Sequence, residues 1–146
     1  MRHIFLVDNS VLQRVHRSET VKAALAELLV TGDLGGCLPQ ILEEGYSARS
    51  AREHSLLLDA NRRAKIFLPP DDRVAEVTID LQRRLFAAGI GRSVGVSDLQ
   101  IAATAIRHTD GTQRVTVVHY DADFENVARI APEFVHRWIV ARGSVD

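Results

Sequence analysis

The sequence predicts an α/β fold, a mainly parallel central sheet flanked by helices. Residues 4–7 form a continuous apolar run without alternation, the pattern of a strand buried on both faces. Residues 115–119 are a second β-rich run, and the segments between the two place apolar side chains at helical spacing. At 146 residues the chain has the size of one domain, taken as residues 1–146.

The elements follow in order. The first strand, residues 4–7, ends at Asp8. A helix over residues 18–30 has Ser18 as its cap, Val21, Ala24, Leu25 and Leu28 on its apolar face, and Gly32 after its end. Gly35 and Gly36 open a short strand around Cys37 and Leu38. Pro39 fits the first turn of a helix over residues 39–49. A further helix covers residues 50–66, and Pro69-Pro70 stops the chain there. Asp71 or Asp72 caps the next helix, which sets Val74, Val77, Leu81, Leu85 and Ala88 against Arg73, Glu76, Asp80, Arg83 and Arg84. Gly89 and Gly91 end it. Ser97 caps a helix over residues 98–108, Asp110-Gly111 is a turn, and the strand 115–119 follows. A short helix over residues 123–129 and a last strand over 134–140 complete the set.

Composition excludes several classes. Eighteen basic residues against nineteen acidic ones give a net charge of −1, so no global basic field exists to hold nucleic acid. The single cysteine, Cys37, excludes an intrachain disulfide and a cysteine-rich zinc site, and reads as a packing residue. No apolar run approaches membrane-span or signal-peptide length, which makes the cytoplasm the expected location. The histidines lack metal-ligand spacing and read mostly as surface residues, and the glycines of 89–95 are not followed by a Gly-Lys-Ser/Thr motif.

Certain acids are placed unusually. Asp8 and Asp121 each follow a β-rich run, at the edge where open α/β sheets bind ligands. Asp123 follows two residues later, on the same side if the segment is extended. Asp98 stands in the first turn of its helix, yet Ile101, Ala102 and Ala105 follow at i+3, i+4 and i+7, so it heads the buried stripe. A carboxylate aimed inward needs an arginine or a metal ion. Glu43 and Glu44 lie on the helix after Pro39, and periodicity leaves open which of them faces inward. Carboxylates gathered at one sheet edge repel one another unless a cation joins them, and an all-oxygen set suits Mg²⁺ or Mn²⁺. The chemistry implied is metal-assisted hydrolysis of a phosphodiester.

Taken together, Val7-Asp8-Asn9-Ser10, Leu42-Glu43, Tyr46-Ser47-Ala48-Arg49, residues 97–103 and residues 119–124 resemble a PIN-domain ribonuclease, in particular the VapC-type toxins of bacterial toxin–antitoxin pairs. The resemblance spans nearly the whole chain. It implies a PIN-like fold and a metal-dependent endoribonuclease with Asp8, Glu43, Asp98 and Asp121 as its acidic quartet. Asp123 matches a further metal-binding acid, Ser10 a supporting hydroxyl, and Tyr46 selects Glu43 over Glu44. His119 departs from the threonine frequent at that place, and is expected to donate a hydrogen bond to a carboxylate. A cognate antitoxin and a homodimer are implied as partners, with RNA as substrate and no membrane. The alternative is a catalytically silent PIN-fold binding module, against which the intact set of acids argues. Haloacid-dehalogenase-type chemistry is disfavoured, because Ser10 stands where it needs a second aspartate. Arg49, Arg52, Arg62, Arg63 and Lys65 against Glu53 and Asp59 give residues 49–65 a local charge of +3, a candidate surface for the RNA backbone.

Overall fold

The structure, a computed structural model, describes residues 1–146. β1 (Arg2–Val7) lies at the middle of a five-stranded, wholly parallel sheet of order β3-β2-β1-β4-β5. Its run without alternation has a direct cause. Ile4 and Leu6 enter one core, shared with Val115, Val117, Leu81, Leu85, Ile101 and Phe124. Phe5 and Val7 enter a second core on the opposite face, with Val11, Val21, Leu28 and Val118.

α1 (Asn9–Val15) and α2 (Glu19–Val30) lead to β2 (Asp33–Cys37), and α3 (Leu38–Tyr46) and α4 (Ala51–Ala64) lead to β3 (Ile66–Leu68). α5 (Asp72–Ala87) and α6 (Val96–His108) then carry the chain back across the sheet to β4 (Gln113–His119). α7 (Asp123–Ile130) connects to the edge strand β5 (His136–Trp138). The winding reverses between β1 and β4, and such a reversal leaves a crevice at the carboxyl ends of the two strands. Their register is close: Val7 pairs with Val118, and the Asp8 N–H donates to the Val118 carbonyl at 2.8 Å.

Ser18 caps α2 and Asp71, not Asp72, caps α5, each accepting a backbone N–H three residues on. Gly89 turns the chain after α5 with a positive φ of 77°, a conformation that favours glycine. Several boundaries differ from expectation. α1 was not foreseen: it is only seven residues long, and Asp8 starts it by accepting the Ser10 N–H at 3.1 Å. β2 begins at Asp33, before the glycine pair, because Asp33, Leu34 and Gly35 pair with Ile4, Phe5 and Leu6 of β1. α3 stops at Tyr46, and the region read as one helix to residue 66 divides into α4 and the edge strand β3. Gly95 rather than Ser97 is the cap of α6, so Ser97 sits within the first turn. The last strand is shorter than its β-rich sequence, since only His136, Arg137 and Trp138 pair with β4.

Candidate active site

The crevice brings together Asp8, Asp98 and Asp121: one carboxylate oxygen from each lies within 4.8 Å of the others. Each arrives by a different route. Asp8 leaves the end of β1, 5% exposed, with its orientation set by the cap on α1. Asp98 is the third residue of α6, a position held by the burial of Leu99, Ile101, Ala102 and Ala105 behind it. Asp121 follows β4 by two residues. Ser10 ties the two strand ends together, since its Oγ accepts the Tyr120 N–H at 2.9 Å. The buried Gln40 on α3 adds a brace by donating from Nε2 to the Val7 carbonyl.

A cavity of about 680 Å³ opens over these acids. Glu43 lines it, together with Asn9, Ser10, Gln13, Ser97, Gln100 and the apolar wall Leu38, Leu42 and Tyr46 of α3. Glu44 turns elsewhere. Its Oε2 accepts from Asn61 Nδ2 at 2.8 Å and its Oε1 pairs with Lys65 Nζ at 3.0 Å. Asp123 stands beside the cavity rather than in its lining: its N–H donates to Asp121 Oδ1 at 3.0 Å, so the segment is a tight turn, not an extended pair. Asn9 and Gln13 escaped the sequence reading because α1 itself did; no local signal marks them.

No lysine, arginine or histidine lines the cavity, so the arginine partner considered for Asp98 is absent. The electrostatics reflect that. Burial, then the carboxylates of Asp8, Asp121, Asp123 and Glu43, push the Asp98 carboxyl up to about 7. Burial also raises Asp8 and Asp123, against the lowering effect of hydrogen bonds from Ser10 and from the Gly95 backbone respectively. Oxygen ligands around a six-coordinate Mg²⁺, at ~2.1 Å from the ion, stand roughly 3–4 Å apart. The three aspartate oxygens, all within 4.8 Å of one another, need little movement to reach that spacing, and the donor set is all oxygen, so the residues fit a hard divalent ion.

His119 differs from expectation. Its side chain is wholly buried and hydrogen-bonds to no carboxylate. Nδ1 accepts the Asp121 N–H at 3.1 Å, and Nε2 lies 2.9 Å from His136 Nδ1. Burial, then His136, lowers its pKa to about 3. Among the basic candidates, Arg49, Arg52, Arg62 and Arg63 are exposed, whereas the Lys65 ammonium is engaged by Glu44 with only 10% of its side chain exposed.

Residues 5–130 match the PIN domain family. Ribonuclease VapC21 of Mycobacterium tuberculosis is 36% identical over 140 residues, covering 96% of both chains. Two solved structures share the fold. A chain of VapBC-1 from nontypeable Haemophilus influenzae superposes with a TM-score of 0.71 at 13% identity, over 93% of this chain and 98% of that one. A chain of VapBC-5 from Mycobacterium tuberculosis, a member of the VapBC family of toxin–antitoxin systems, gives 0.63 at 20% identity, over 92% and 98%.

Proposed function

The chain belongs to the PIN domain family, and from that premise we propose that it is a metal-dependent endoribonuclease acting as the toxin of a toxin–antitoxin pair, with residues 1–146 working as one unit. The relationship to ribonuclease VapC21 supports the RNA substrate and the hydrolytic reaction. The observation that carries the chemistry is the meeting of Asp8, Asp98 and Asp121 in a cavity with no cationic side chain.

In this reading Asp8, Asp98 and Asp121 hold Mg²⁺ or Mn²⁺, with Glu43 and Asp123 completing the site through water or a second ion. A bound divalent ion lowers the pKa of its water and offsets charge on the scissile phosphate. The chain supplies the rest. Ser10 and the α1 cap fix Asp8 so that little reorganisation is needed when the ion binds. Asp98 would have to be ionised to hold the ion, because a ligating carboxylate is deprotonated, so binding there would be coupled to loss of a proton to solvent. Glu43, which also lines the cavity, would orient the attacking water. Arg49, Arg52, Arg62 and Arg63 hold the RNA backbone from α4 and its approach. The acidic cleft suits an antitoxin that inserts an arginine, which pairs with carboxylates in bidentate fashion. A second copy of the chain and a cognate antitoxin are the partners expected.

Purified protein freed of antitoxin, incubated with a mixed RNA pool, tests the reading. Cleavage with Mg²⁺ or Mn²⁺ that stops in EDTA is expected. Cleavage that survives EDTA would overturn the mechanism, and an intact pool in every condition would overturn the activity.

A further inference from the structure

His119 ends β4 with its ring enclosed by Phe124 and Trp138, each with a centroid 4.9 Å away, and by His136 at 5.1 Å. Only two polar contacts reach it, and they fix its chemistry. An Nδ1 that accepts the Asp121 N–H presents a lone pair, so the proton lies on Nε2 and is donated to His136 Nδ1. His136 then carries its own proton on Nε2. A charged ring would turn an N–H towards the Asp121 N–H and lose that bond.

The Asp121 N–H is the first of two consecutive side-chain links along this turn. His119 Nδ1 grips residue 121, and Asp121 Oδ1 grips the N–H of Asp123, which opens α7. From the other side Ser10 Oγ holds the Tyr120 N–H. The backbone that presents Asp121 to Asp8 and Asp98 is thus held at successive amides, by Ser10 and by His119. Restraint of the backbone opposes the mutual repulsion of the carboxylates it presents.

We infer that His119 is a positioning residue: through Nδ1 it fixes the main chain of Asp121 and so presets the carboxylate cluster for a divalent ion. The inference rests on the metal-site reading above. It assigns His119 no contact with the ion or the RNA.

Two variants separate positioning from packing. His119→Asn keeps an acceptor close to the place of Nδ1 but loses ring volume and the link to His136. His119→Phe keeps the ring volume but has no acceptor. If His119 merely fills space, Mn²⁺ affinity and RNA cleavage follow melting temperature, and the Phe variant leads in all three. If it positions Asp121, the order inverts: the Asn variant melts lower yet binds Mn²⁺ and cleaves better. The Phe variant should lose roughly ten- to a hundredfold in Mn²⁺ affinity and in cleavage, the range seen when a residue supporting a metal ligand is lost. A Phe variant equal or superior to the Asn variant in Mn²⁺ affinity would overturn the inference. Nitrogen NMR of the wild-type imidazoles, recorded near pH 7 without metal, tests it without any substitution. A bare Nδ1 and a protonated Nε2 on His119 are expected, and a proton on Nδ1 would overturn it. A wild-type protein that binds Mn²⁺ but leaves RNA intact would count against the ribonuclease reading alone.

Discussion

Asp98 keeps its proton to about pH 7 because burial and four neighbouring carboxylates oppose its charge. Its folded-state value lies above the ordinary ~3.9, so its stabilising contribution is full below about pH 4 and is lost as pH rises towards 7. His119 has the opposite sign: its value is pulled down to about 3, so its contribution is full above the ordinary ~6.5 and is lost as pH falls. The two windows overlap, and comparison with Asp98→Asn separates them. Without metal, that variant should melt close to wild type near pH 4 and progressively higher than wild type as pH rises to about 7, with the gap constant above that. A difference that shrinks with pH, followed by calorimetry, would contradict this account of the cluster. Glu43 and Glu44 form a second contrast. Glu43→Gln should leave stability within ~0.5 kcal/mol of wild type while sharply reducing cleavage. Glu44→Ala strands the Lys65 ammonium and leaves the Asn61 amide with only its bond to the Leu57 carbonyl, and should destabilise by about 2 kcal/mol or more. Denaturant titration and a cleavage assay on both variants check the pair. At this scale Asp8, Asp98 and Asp121 stood out in the chain because each occupies an odd place, at a strand end or on the wrong face of a helix. The part His119 plays was hidden, since which ring nitrogen meets which amide depends on the turn after β4 and on the distant His136.

At the level of elements, β1, β4 and the long amphipathic helices were legible, because burial on both faces imposes an apolar run on the strands and burial on one face imposes a period on the helices. The short pieces were not. β3 (Ile66–Leu68) has three residues and follows α4 after a single residue, too short for any period to show, and α1 owes its start to one capping contact. β2 is the least conventional element. Its sequence, Asp-Leu-Gly-Gly-Cys, is poor in β-formers, and it exists because β1 and β3 pair with it on either side. Gly35 is required there by space rather than by φ: a Cβ at that position would stand 2.6 Å from Ile4 Cγ2, which is close to its own backbone and cannot swing away. Gly35→Val should therefore destabilise by roughly 1–3 kcal/mol through overpacking. Since β2 leads directly into the helix that carries Glu43, the same substitution should also lower cleavage. Thermal unfolding that matches wild type would refute the steric argument.

Over the whole molecule, the reversal of winding at β1 and β4 decides where chemistry can occur, and the residues at that edge decide what kind. The net charge of −1 conceals a separation: with the five acids in and beside the crevice set aside, the remainder carries +4. That remainder can attract a polyanion which the crevice alone would repel, and the exposed arginines around α4 belong to it. The Arg62→Ala/Arg63→Ala double variant should bind RNA more weakly and with a shallower dependence on salt, losing up to ~2 from the slope of log affinity against log salt. An unchanged slope in a filter-binding series would remove these arginines from the RNA path. The family and the parallel sheet could both be read along the chain, whereas the free and occupied cations could not: Lys65 counted towards the basic segment until Glu44 was seen to hold it.

The claim on which the rest depends is that the three aspartates form a metal centre, and Mn²⁺ titration of RNA-free protein by calorimetry at pH 6, 7 and 8 tests it most directly. Wild type should bind Mn²⁺, with affinity weakening towards about tenfold per pH unit below 7 as Asp98 takes up its proton. Asp98→Asn should bind far more weakly and lose most of that pH dependence. Equal affinity in the variant, or no binding by wild type at pH 8, would contradict the account.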